Sequence, residues 1–95
     1  MSEVNALTEG EVVIVNALGL HARAAAKLVN LAKTFTCSIE LRLEDKRVDA
    51  KSIMKVMMLA AGQGTVLSLR TCGEEEEGAY AAVSALIADR FGEDR

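Results

Sequence analysis

Cys37-Ser38-Ile39-Glu40-Leu41-Arg42-Leu43 alternates apolar and polar side chains without a break, the two-residue period of a strand with one buried and one wetted face. Such a strand belongs to a sheet covered on one side only, and that condition governs the rest of the chain. Glu44-Asp45-Lys46-Arg47 is a charged turn, after which Val48 fits a short returning strand that closes a hairpin. Upstream, Val12 to Val15 are β-branched or apolar without interruption, which suits a buried strand, and Asn16 to Gly19 supply turn residues. Downstream, Leu67 and Leu69 interleave with Ser68 and Arg70, so Thr65 to Cys72 reads as a further strand ended by Gly73.

Helical periods fill the gaps. After His21, Ala22, Ala25, Leu28, Val29, Ala32 and Phe35 recur at three- and four-residue steps, with Lys27, Asn30 and Lys33 on the other side. Ser52 precedes Ile53 to Leu59 as an expected N-cap, and this short apolar helix stops before Gly62. Glu74 to Glu77 stand where a helix start favours carboxylates, and Tyr80, Val83, Leu86, Ile87 and Phe91 form the buried stripe of the last helix. The order is β-α-β-β-α-β-α, an α+β two-layer sandwich with a mainly antiparallel sheet and its helices on one side. Periodicity alone fits a ferredoxin-like fold with an extra helix equally well.

A chain of 95 residues supports one domain, burying about 64% of the unfolded chain's surface. Residues 1–10 lack sustained periodicity and read as a flexible N-terminal lead, with a single domain over 11–95. The net charge of −3 removes the general attraction on which nucleic-acid binders rely. No apolar run approaches a membrane span, and Met1-Ser2-Glu3 lacks the basic start of a signal peptide, so a cytoplasmic protein without membrane insertion is expected. Cys37 and Cys72 have neither a metal-binding nor a disulfide spacing, and no cofactor is expected. The run Glu74 to Glu77 points around a helix and cannot converge on a metal.

His21 is the sole histidine and lies where a strand passes into a helix. The unpaired amides and positive end of a helix disfavour a protonated imidazole and welcome an added phosphoryl group, so one ring can both attack and carry. Arg23 offers a charge-assisted phosphate contact from the same turn. A surface or capping histidine of no chemical consequence is the alternative.

Gly19-Leu20-His21-Ala22-Arg23-Ala24-Ala25-Ala26 resembles the phosphorylation signature of the HPr family, the histidine phosphocarriers of the bacterial phosphoenolpyruvate-dependent sugar phosphotransferase system. Lys51-Ser52-Ile53-Met54 resembles the family's regulatory-serine segment, and the likeness runs from Glu11 to Phe91. The resemblance implies an open-faced sandwich of four antiparallel strands with three helices on one face. It also implies a phosphoryl group on Nδ1 of His21, received from enzyme I and passed to enzyme II A-type components. Arg23 and the backbone amides of Ala22 and Arg23 would bind the phosphate. Ala24 stands where the family nearly always has proline, which adds an amide donor with no intrahelical partner.

Ser52 would be the target of HPr kinase/phosphorylase, since a dianion suits a helix start and repels an acidic partner. Ile53, Met54 and Met57 cannot all be buried by one sheet, so with Ala26 and Lys27 they are expected to form a partner-binding patch. Lys27, Lys51 and Lys55 would ring it with positive charge. The protein is expected to be a monomer and not a stand-alone enzyme, because no second base, metal cluster or nucleotide loop accompanies the histidine. A regulatory interaction module working through the Ser52 and Met54 surface, with His21 idle, is the alternative function.

Overall fold

A computed structural model describes residues 6–95 of the chain. Its elements run β1 (Leu7–Val13), α1 (Ala22–Ala32), β2 (Ser38–Leu43), β3 (Lys46–Asp49), α2 (Ile53–Met58), β4 (Val66–Cys72) and α3 (Glu76–Ala88), followed by a 3-10 turn over Arg90–Gly92. The four strands form one sheet in the order β1-β4-β2-β3. All neighbours are antiparallel, with Glu9, Arg70, Glu40 and Asp49 in one cross-strand row. A ferredoxin-like split βαβ fold places its first and third strands side by side in the middle of the sheet, whereas here β1 and β3 are the two edge strands, so that alternative is removed.

One face of the sheet is covered. Ile39, Leu41, Leu67 and Leu69 point into the core with Leu28, Val56, Val83 and Ile87 from the helices. Their neighbours on the strands stay partly or fully exposed, which is the alternation that β2 announces. The first strand departs from expectation in two respects. It begins at Leu7 rather than near Glu11, so residues 7–10 belong to the sheet; of the rest of the expected lead, Ala6 precedes the strand and residues 1–5 lie outside the described residues. Nor is Val12 to Val15 buried throughout: Val12 and Ile14 face the core, whereas Val13 and Val15 are exposed. A run of β-branched residues carries no periodicity, and the one-sided cover decides which members are wet.

The last helix also differs. Glu75 occupies the N-cap with a left-handed φ of 64°, and α3 starts at Glu76, so Glu74 and Glu75 precede the helix. Phe91 is fully buried but lies beyond α3, in the 3-10 turn, with φ at 55°. Its four-residue spacing from Ile87 places it in phase with the stripe, although the helix has already ended. The cysteines are both free. Cys72 pairs with Ser38 in the sheet register, one residue from Cys37, and burial raises the Cys37 thiol above its ordinary range.

Candidate functional site

Asn16 to His21 connects β1 to α1, and Gly19 makes that connection possible. Gly19 has φ of 67°, and a Cβ on it would meet the Ala61 carbonyl oxygen at 2.6 Å and Gly62 Cα at 2.8 Å. The backbones touch here because the Leu20 amide donates to that same Ala61 oxygen at 2.9 Å. The buried Asn16 closes the loop through Nδ2, which donates to the Gly19 carbonyl at 2.8 Å. His21 then takes the N-cap position of α1, with extended φ and ψ, and its carbonyl accepts the Ala25 amide at 2.8 Å. The amides of Ala22, Arg23 and Ala24 therefore precede the first intrahelical bond and have no acceptor within the helix.

The His21 side chain retains 27% of its exposure and meets Glu93, whose side chain retains 15%. The contact is between His21 Nε2 and a Glu93 carboxylate oxygen; the other carboxylate oxygen accepts Asn16 Nδ2 at 2.9 Å. Asn16 Nδ2 so divides its two hydrogens between Gly19 and Glu93. The Asn16 bond, and after it the His21 bond, hold the Glu93 carboxyl below its ordinary range. An ionised carboxylate only accepts, so the ring nitrogen facing it carries the proton, and in the neutral ring Nδ1 is left with a free lone pair.

A depressed carboxyl links folding to pH with a definite sign. The folded state gains stability from Glu93 ionisation above the ordinary value of 4.5 and loses it as pH falls through the lower folded value. In Glu93→Gln, urea unfolding midpoints measured across this acid range are expected to fall less steeply than in the wild type. An identical acid limb in both proteins contradicts the assignment.

Arg23 is exposed and lines, with His21, Ala17, Leu18, Glu93 and Asp94, an open cleft of about 330 Å³. Ala22 is exposed and Ala24 fully buried, so in this first turn Ala24 offers only its backbone amide. Ala26 is half-buried on α1. On α2, Met54 and Met58 are 69% and 70% exposed, with Ile53 and Met57 also exposed, while Val56 alone faces the core. Helix α2 packs against α1, which carries His21 at its start.

Three expectations need correction. Ser52 holds the N-cap position of α2 but makes no side-chain cap bond. Asp49 instead orders the turn that leads into the helix: its carboxylate accepts the Lys51 amide at 2.9 Å and its carbonyl the Ser52 amide at 3.1 Å. Lys27 is not a free member of a basic ring, since its Nζ donates to the Phe91 carbonyl at 2.7 Å. Lys51 Nζ likewise donates to the carbonyls of Phe35 and Cys37, at 2.7 Å each. Two of the three ring lysines thus also tie chain segments together, and since their acceptors are neutral carbonyls they keep their positive charge.

Sequence reasoning missed Asn16 as a site residue and Glu93 altogether. Asn16 reads locally as turn chemistry, and its partner lies 77 residues away. The available signal was Arg90-Phe91-Gly92, a bulky aromatic followed by glycine just past the last helix, which turns the chain back toward α1.

The family model described as "PTS HPr component phosphorylation site" matches residues 8–89. The chain belongs to the HPr family. Among HPr relatives, the phosphocarrier protein HPr of Cupriavidus necator is 51% identical over 92% of this chain and 98% of its own. That of Pseudomonas putida is 54% identical over 87% of this chain and 93% of its own. The crystal structure of HPr-C-His from Thermoanaerobacter tengcongensis superposes with a TM-score of 0.89 at 42% identity, covering 93% of this chain and 99% of that one. Both relatives are named phosphocarriers, which agrees with an HPr-type carrier. Among the described residues no helix is long and apolar enough to cross a membrane.

Proposed function

We propose that this HPr-family protein accepts a phosphoryl group on Nδ1 of His21 from phosphorylated enzyme I and passes it to enzyme II A-type components of the sugar phosphotransferase system. The observation that carries this reading is the contact of Nε2 with the ionised Glu93, because it leaves Nδ1 as the nucleophilic nitrogen of the residue that holds the N-cap position of α1. As the new Nδ1–P bond forms, the donor's N–P bond breaks and its electron pair returns to the donor ring; the His21 proton stays on Nε2. The transferred oxygens carry negative charge, which the amides of Ala22, Arg23 and Ala24 and the Arg23 guanidinium are suited to bind.

The exposed Ile53, Met54 and Met57, with Ala26 alongside on α1, suit a docking surface for several partners, since methionine side chains repack at little cost. Ser52, freed from capping, is the proposed target of HPr kinase/phosphorylase at the edge of that surface. An unchanged rate of labelling by enzyme I in Ser52→Asp would count against this switch.

The test is incubation with labelled phosphoenolpyruvate and enzyme I. Acid-labile label is expected on the wild type and its complete loss on His21→Ala. No label on the wild type, with an enzyme I that labels another HPr, would leave the interaction module as the function.

A further inference from the structure

The carboxylate beside His21 is placed by contacts from distant parts of the chain. Arg90 and Phe91 adopt left-handed φ of 59° and 55°, and Gly92 follows at 78°, so the chain reverses sharply after α3. Phe91 fixes the reversal by complete burial, and Lys27 Nζ clamps its carbonyl at 2.7 Å. Asn16, itself without exposure, then holds one oxygen of Glu93 while the other meets Nε2. Three anchors from three parts of the chain converge on one carboxylate, and the positive-φ residues put strain into reaching that geometry. The other charges facing this pair are Arg23 on α1, Asp94 and Arg95 in the cleft, and Lys27 behind the turn.

We infer that Glu93, oriented by Asn16, is a positioning residue that keeps the His21 proton on Nε2 throughout the phosphorylation cycle. The inference rests on the carrier reading for its function and on the geometry alone for the tautomer. Its chemical consequence falls on the outgoing step. A ring bonded to phosphorus at Nδ1 and protonated at Nε2 is cationic, and the adjacent carboxylate stabilises it. When the acceptor nitrogen attacks phosphorus, the Nδ1–P bond breaks, the electron pair returns to Nδ1, and the ring departs neutral with its proton still on Nε2. If that proton is lost first, the departing ring is an imidazolate, a much poorer leaving group.

Two readouts test this. In the unphosphorylated protein at about pH 9, where imidazoles are neutral, 15N NMR is expected to find the Nε2–H tautomer dominant in the wild type and mixed tautomers in Glu93→Ala. In phosphoryl transfer from the loaded protein to an enzyme II A-type acceptor, Glu93→Ala is expected to be about tenfold slower at pH ~9. At pH ~6 it should be nearly as fast as the wild type, and Glu93→Asp should restore part of the alkaline rate. A purely structural role would slow transfer equally at both pH values. That result, or an unchanged tautomer in Glu93→Ala, overturns the inference. If the wild type takes no label, the carrier reading fails, and the tautomer measurement still decides the positioning claim.

Discussion

Phe91→Ala is expected to lower the unfolding free energy by about 3–5 kcal/mol, the range for deleting a fully buried aromatic ring. Phe91 is among the largest side chains of the core and has no exposure. Alanine would keep the unfavourable left-handed φ of 55° while losing the contacts that offset it. A domain of this size has about 5–15 kcal/mol in total, so the variant should lose a substantial share of its stability. Loss of the anchor also frees the Phe91 carbonyl from Lys27 and slackens the segment that carries Glu93 to His21. Phe91→Leu, which keeps an apolar side chain in the pocket, should recover a large part of the stability. A loss below about 1 kcal/mol for alanine, read by urea unfolding, would mean that the C-terminal turn does not anchor the fold.

Gly19→Ala is expected to cost about 3 kcal/mol by a different route. A left-handed φ costs a residue with a Cβ about 1–2 kcal/mol, and here the new carbon would also stand 2.6 Å from the Ala61 carbonyl oxygen. The opposing atoms are backbone, so relief requires the β1–α1 loop to move off the segment that follows α2. That shift pulls at the Leu20 to Ala61 bond and at the Asn16 amide, the two contacts that set the loop before His21. Urea unfolding gives the stability. A cost under about 1 kcal/mol would show that the close approach is easily relaxed.

The fold was legible because its strongest signal is a consequence of its architecture. A sheet covered on one face imposes alternation on β2 and β4, and both strands lie within one residue of their expected bounds. The start of α1 was readable for a similar reason, as a glycine turn followed by a three- and four-residue apolar period. The first strand was harder, because Val12 to Val15 are uniformly apolar and Leu7 to Glu11 are mixed; pairing with β4, not pattern, decides its extent. Phe91 misled since burial was correct and helical continuation was not. Left-handed conformations at Arg90, Phe91 and Glu75 have no residue-level signature, for glycine is the residue normally expected there.

The candidate site was half legible. His21, Arg23 and the amide donors follow from local sequence, as does the exposed apolar face of α2. The structural role of the lysines was not legible, because Lys27 and Lys51 satisfy carbonyls that lie 64, 16 and 14 residues away in the chain. Glu93 was overlooked for the same reason of distance, and it is the group that distinguishes the two ring nitrogens.

That distinction is the core of the account, and it can be read directly. In the protein loaded from phosphoenolpyruvate through enzyme I, with His21 labelled with 15N, phosphorus is expected to couple to Nδ1 while Nε2 carries the proton. Phosphorus bonded to Nε2 would contradict the account, because it would require the contact with Glu93 to open before the chemistry begins.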